Sequence, residues 1–142
     1  MEKSNAVKIY QILQKFHKTG LSRKITGGMP HSEIMMLKKI KLNCYETEGV
    51  TISTLSKLLE VSKSAVSQMV NNLEDKGYIE RINTKNDRRL VYVRLTVSGE
   101  QCLAKELQSL LQKMDEMFDG MGEEETEDLL RLLEKLYSIV SE

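Results

Sequence analysis

The chain has 142 residues, with 21 basic and 21 acidic side chains, 40% apolar residues and two cysteines. That length fits one domain large enough to bury a real core, and no apolar run approaches the roughly 18 residues of a membrane span. The balanced charge hides a division, because residues 1–99 carry 17 Lys+Arg against 9 Asp+Glu and residues 100–142 carry 4 against 12; a basic front of this kind suits a polyanionic partner.

The opening Met1-Glu2-Lys3-Ser4-Asn5 lacks the apolar stretch of a signal peptide. The expectation is a cytoplasmic protein in which Cys44 and Cys102 stay thiols. Ile9, Ile12, Leu13 and Phe16 recur at helical spacing and predict an amphipathic helix over 7–18. Lys15 and Lys18 favour its C-terminal end, with Gly20 as a cap. Gly27-Gly28 and Pro30 mark a break. Ile34, Met35, Leu37 and Ile40 then predict a second helix over 32–42, and a loop over 43–49 follows.

A helix over 51–60, a tight turn at Val61 and Ser62, and a second helix over 63–76 stopping at Gly77 read as a helix-turn-helix. Alternating runs over 78–82 and 90–95 read as paired strands, with a polar turn containing Asn86-Asp87 between them. Thr96 is a candidate N-cap for a long helix whose stripe is Leu103, Leu107, Leu110, Leu111, Met114, Met117 and Phe118, with Gly120 and Gly122 ending it. Glu123-Glu124-Glu125 suit the first turn of a last helix, striped by Leu129, Leu132, Leu133, Leu136, Tyr137 and Val140. The expected fold is mainly α with a small β-hairpin wing: one domain over 1–142, with a winged helix-turn-helix over 32–99. Apolar stripes at both ends of the chain exceed what that small core needs, so 1–19 and 100–142 are assigned to homodimerisation.

On the second helix of the motif, Val66, Met69, Val70 and Leu73 fall on a core side. Ser64, Ser67, Gln68 and Asn71 fall opposite, with Lys63 near the N-terminal end. An ordinary solvated face would carry Glu and Lys, whereas this one has no acid until Glu74. Short or flat hydrogen-bonding groups suit base edges in the DNA major groove, and Gln and Asn pair bidentately with adenine. The helix N-terminus offers N–H groups to a phosphate. In the wing, Asp87 beside Arg88 and Arg89 predicts an ion pair that stiffens the tip, an exposed pair contributing only about 0–1 kcal/mol. Arg88 is assigned to the minor groove, and Arg81, Lys85 and Arg89 to phosphates.

The run Leu73-Glu74-Asp75-Lys76-Gly77-Tyr78-Ile79-Glu80-Arg81, then Asp87-Arg88-Arg89, then Leu95-Thr96-Val97-Ser98-Gly99 resembles the MarR family of bacterial transcription regulators. Ser32-Glu33-Ile34 through Leu37 resembles that family's second helix, and residues 121–133 its last, so the resemblance covers nearly the whole chain. It implies a triangular homodimer joined by the first and last helices, with two winged domains reaching double-stranded DNA. It also implies repression relieved by a small-molecule effector, often an aromatic acid, or by cysteine oxidation. Tyr10, His17, His31 and Met35 are candidates for the effector cleft, although plain packing is the commoner role for each one.

The chain departs from the family in places. Met29-Pro30-His31 stands where the family often has Leu-Thr-Pro, which moves the expected helix N-cap to Ser32. The first helix carries no reactive cysteine, and Cys44 and Cys102 fit structural thiols better than sensors. With only His17 and His31 as histidines, no metal site and no cofactor are expected. No phosphate-binding glycine loop or nucleophile elbow points to an enzyme. Two alternatives are a winged helix used for protein contact without DNA readout, and one used for RNA. The polar face at 64–71 and Arg88 argue against the first. RNA's deep, narrow major groove would not admit the helix. The sequence therefore reads as a sequence-specific DNA-binding regulator, a repressor on the family's leaning, at a near-palindromic operator.

Overall fold

The computed structural model describes residues 4–44, 49–83 and 90–142. Helix α1 (Asn5–Thr19) opens where the Ser4 hydroxyl accepts from the Val7 N–H at 3.3 Å. It closes at Gly20, whose φ of +66° turns the chain left-handed. Helix resumes at once as α2 (Leu21–Ile25), which the sequence had not indicated. Thr26 caps α2 and is buried, its hydroxyl donating to the Ser22 carbonyl at 2.8 Å. From the far end of the fold, Lys113 Nζ donates to the Thr26 carbonyl at 3.2 Å.

Helix α3 (His31–Asn43) begins one residue before the expected Ser32 cap. Pro30 takes the N-cap place, its carbonyl accepting from Glu33 and Ile34 at 3.1 and 3.2 Å; its ring fixes φ for the turn, and it has no N–H to satisfy. The buried set on α3 is Ile34, Met36, Leu37 and Ile40, with Met35 only half-buried. These residues spread around much of the helix because α3 packs against α4, α6 and the sheet. A centrally placed helix loses a clean one-sided stripe, which is why Met36 was missed.

Strand β1 (Val50–Thr51) leads into α4 (Ile52–Leu59) and α5 (Lys63–Asp75), followed by β2 (Ile79–Asn83) and β3 (Val91–Leu95). The sheet is antiparallel in the order β1-β3-β2, so the expected hairpin is in fact three-stranded. Two residues are too few to show alternation. What admits them is Gly49, at φ +92°, where an added Cβ would lie 2.4 Å from the Val93 carbonyl oxygen.

Helix α6 (Val97–Met121) starts with the Thr96 hydroxyl accepting from Gly99 N–H at 3.0 Å. It runs through Gly120 and stops at Gly122, and α7 (Glu123–Val140) follows with three glutamates in its first turn. The core joins Ile34, Met36, Leu37 and Ile40 of α3 to Leu55, Val66, Val70, Leu73, Ile79, Val93 and Leu103. Neither α1 nor α7 has a buried residue.

Candidate nucleic-acid interface

The orientation of α5 is set by its two ends. At the start, Glu60 takes a left-handed φ of +55°, and Ser56 and Val61 clasp each other. The Val61 N–H donates to the Ser56 carbonyl at 3.2 Å, and the Ser56 hydroxyl returns to the Val61 carbonyl at 2.6 Å. Ser62 then caps α5, accepting from Ala65 N–H at 3.1 Å. At the far end Gly77, at φ +81°, lets its N–H reach the Glu74 carbonyl at 2.9 Å while Tyr78 N–H reaches that of Leu73 at 3.0 Å. These are the paired bonds of a Schellman C-cap, and they throw the chain directly into the wing.

A second clamp holds the wing root. The Thr96 hydroxyl donates to the Gly77 carbonyl at 2.6 Å, and Thr96 N–H donates to that of Tyr78 at 3.1 Å. Gly99 packs so tightly below them that a Cβ there would fall 2.0 Å from the Tyr78 oxygen. The Leu95–Gly99 motif is therefore a backbone lock between the wing and α6.

With α5 held this way, Val66, Val70 and Leu73 face the core with no exposed surface. Lys63, Ser64, Gln68 and Asn71 face solvent, Ser67 is half-buried, and Met69 packs at the core's edge. Arg81, assigned to a phosphate from the sequence, is joined to α5. Its Nη1 donates to Glu74 Oε1 at 2.8 Å and its Nη2 to Asn71 Oδ1 at 2.6 Å. The bond neutralises the one acid that the sequence placed near this face. Nearby, Arg94 pairs with Glu80 across β2 and β3, and Lys76 pairs with Glu33 on α3 at 3.3 Å. None of these pairings was legible in the sequence. Asn71 and Glu74 share a helix face by their spacing, but which strand residue reaches them depends on the wing's angle. Lys85, Asp87, Arg88 and Arg89, including the expected wing ion pair, lie outside the described residues.

The four effector-cleft candidates are divided among separate grooves. His17 and His31 meet in a cleft of about 820 Å³, together with Phe16, Lys18, Arg23 and Thr26. Tyr10 joins His17 and Leu13 in a neighbouring groove of about 410 Å³. Met35 lies in a third, between Leu58, Val61 and Met69. Among the described residues no three His, Cys, Asp or Glu side chains are placed to hold a metal ion, and no helix is long and apolar enough to cross a membrane. Both cysteines are free and half-buried. Burial pushes the Cys44 thiol up, against a smaller opposing pull from Arg94. The Tyr78 phenol is also raised, first by its side-chain hydrogen bond with Cys102.

Comparison with known proteins places this geometry. The model of the MarR family matches residues 42–91, from the end of α3 to the start of β3. YwhA of Bacillus subtilis, named as an uncharacterised HTH-type transcriptional regulator, is 34% identical over 92 residues, 65% of this chain and 66% of its own length. The match thus spans just under two thirds of that relative. Among solved structures, YusO from Bacillus subtilis superimposes with a TM-score of 0.76 at 22% identity, covering 96% of this chain and 99% of its own. A mutant MarR from E. coli complexed with operator DNA gives a TM-score of 0.67 at 22% identity, covering 94% and 99%. At such identities the two structures establish a shared fold. The sequence matches carry the rest, and by them the chain belongs to the MarR family.

Proposed function

We propose that this protein is a transcription regulator that binds double-stranded DNA sequence-specifically as a homodimer. One observation carries the proposal: α5 buries Val66, Val70 and Leu73 completely while Lys63, Ser64, Gln68 and Asn71 stand in solvent at its front. The fold neighbour crystallised with operator DNA supports it. The second copy is argued from α1 and α7, where Ile9, Leu13 and Phe16, and Leu133 and Leu136, are each at least half exposed. Apolar surface of that extent calls for a partner, and a two-fold copy covers both ends with one interface. Two recognition helices one DNA turn apart, about 34–36 Å, then demand a near-palindromic site. We propose repression at that site, relieved by a small ligand in the cleft lined by Phe16, His17 and His31.

Selection of bound sites from random duplex DNA tests the proposal. The expected product is a near-palindrome whose affinity falls steeply with salt, with no binding to RNA of the same sequence. Arg88→Ala is expected to weaken that binding by about 1–3 kcal/mol without unfolding the protein. A chain that enriches no duplex sequence is not such a regulator.

A further inference from the structure

We infer that Arg81 decides what Asn71 can read, restricting it to bases that accept hydrogen bonds in the major groove. The inference rests on the DNA-binding role proposed above and gives it a specificity-determining residue outside the recognition helix. Arg81 stands in the middle of β2, and its guanidinium spans two side chains of α5, Glu74 at 2.8 Å and Asn71 at 2.6 Å. A guanidinium has donors and no acceptor, so the Asn71 atom turned towards it is the amide oxygen. The amide nitrogen, with its two hydrogens, is left for another partner. Glu74 matters too. By taking Nη1 it holds the guanidinium against α5, and Asn71 and Glu74 share that face because they are three residues apart.

The consequence follows from base chemistry. An asparagine reads adenine by accepting from N6 and donating to N7 at once. Here one of the oxygen's two lone pairs is taken by a cation, whose positive charge opposes a second donor such as an adenine amino group. Donation is therefore favoured, which matches O6 and N7 of guanine or O4 of thymine. The adenine preference expected for Asn71 from its residue type alone is thereby replaced. Arg81 is a positioning residue in this account, acting on the base through Asn71.

The test is site selection from random duplex DNA with the full chain and three variants. Asn71→Ala identifies the contacted position as the one whose preference fades, by roughly tenfold. In the unaltered protein that position is expected to hold guanine or thymine. Arg81→Met keeps the aliphatic stem but loses every donor, so the same position should move towards adenine by about tenfold while its neighbours hold. Asn71→Asp turns an acceptor to the groove and should favour cytosine, whose N4 amino group donates. If Arg81→Met lowers affinity equally for all sequences and leaves the base unchanged, Arg81 is a phosphate contact or a brace and the inference is overturned. Adenine at that position in the unaltered protein overturns it as well, with the DNA-binding role intact. Enrichment of no sequence at all brings down both.

Discussion

Leu73 on α5 and Leu136 on α7 both belong to apolar stripes of amphipathic helices, yet Leu73 has no exposed surface and Leu136 is 56% exposed. The same contrast holds across the two regions. The winged core closes on itself, with α3, α5, α6 and the sheet covering one another's apolar residues. The terminal helices α1 and α7 have no fully buried residue within the chain. An apolar stripe of given strength marks that a surface must be covered, but not by which chain. In one region the cover is local; in the other it is left for a second copy.

Truncation after Met121 should break the contrast most sharply. It removes α7 and leaves the winged core untouched, so a folded monomer is expected by sedimentation and circular dichroism. Loss of the second winged domain should weaken binding to a two-half-site operator by about 10²–10⁴-fold, the usual worth of bivalency. A truncated chain that still sediments as a dimer would show that α7 does not supply the interface.

Paired leucine substitutions come next. Leu73→Ala removes a fully buried side chain and should cost about 2–5 kcal/mol at any protein concentration, measured by urea unfolding. Leu136→Ala should act differently, raising the dimer dissociation constant and leaving the stability of a dissociated monomer almost unchanged. Equal, concentration-independent losses for both would erase the distinction between the regions.

Gly99→Ala probes the lock between the wing and α6. Its Cβ would meet the Tyr78 carbonyl oxygen at 2.0 Å, and backbone cannot yield as a side-chain end can. The expected destabilisation is about 1–3 kcal/mol, with hydrogen exchange rising first at the wing root. Unchanged exchange at Tyr78 and Thr96 would mean that the wing is held elsewhere.

The smallest effect concerns Cys44, which follows the last turn of α3. Burial raises its pKa, so the neutral thiol persists to higher pH in the folded protein than in the unfolded chain. The thiolate is the reactive form, so folded Cys44 should alkylate several-fold more slowly at pH 8 than in urea, and the gap should narrow as pH rises. Faster alkylation in the folded state would mark an activated thiol.

Much of the architecture was legible because local chemistry writes it directly. Gly20 and Thr96 could be named as caps, Gly77 as a stop, and Val66, Val70 and Leu73 as core, since capping and helical period are properties of neighbouring residues. Four features were not. The five-residue α2 was not indicated, the two-residue β1 carries no period, the N-cap of α3 moved to Pro30, and Met36 displaced Met35 because α3 is covered on several sides. Of the candidate site, the exposed face of α5 was readable. The bond from Arg81 to Asn71 was not, because it joins residues ten positions apart across the angle between a helix and a strand.

The residue order by itself thus determined where most helices begin and end, which residues seek burial, and that α5 would show water a face of short hydrogen-bonding groups. Those outcomes depend on contacts within one or two turns. Only the tertiary structure decided that Asn71's oxygen already accepts from Arg81, that His17 and His31 share a cleft which Tyr10 and Met35 do not line, and that the stripes of α1 and α7 are left uncovered by their own chain. Each of these depends on how separate elements meet in space. Apolar period and residue type report what a side chain needs, and packing decides which neighbour supplies it.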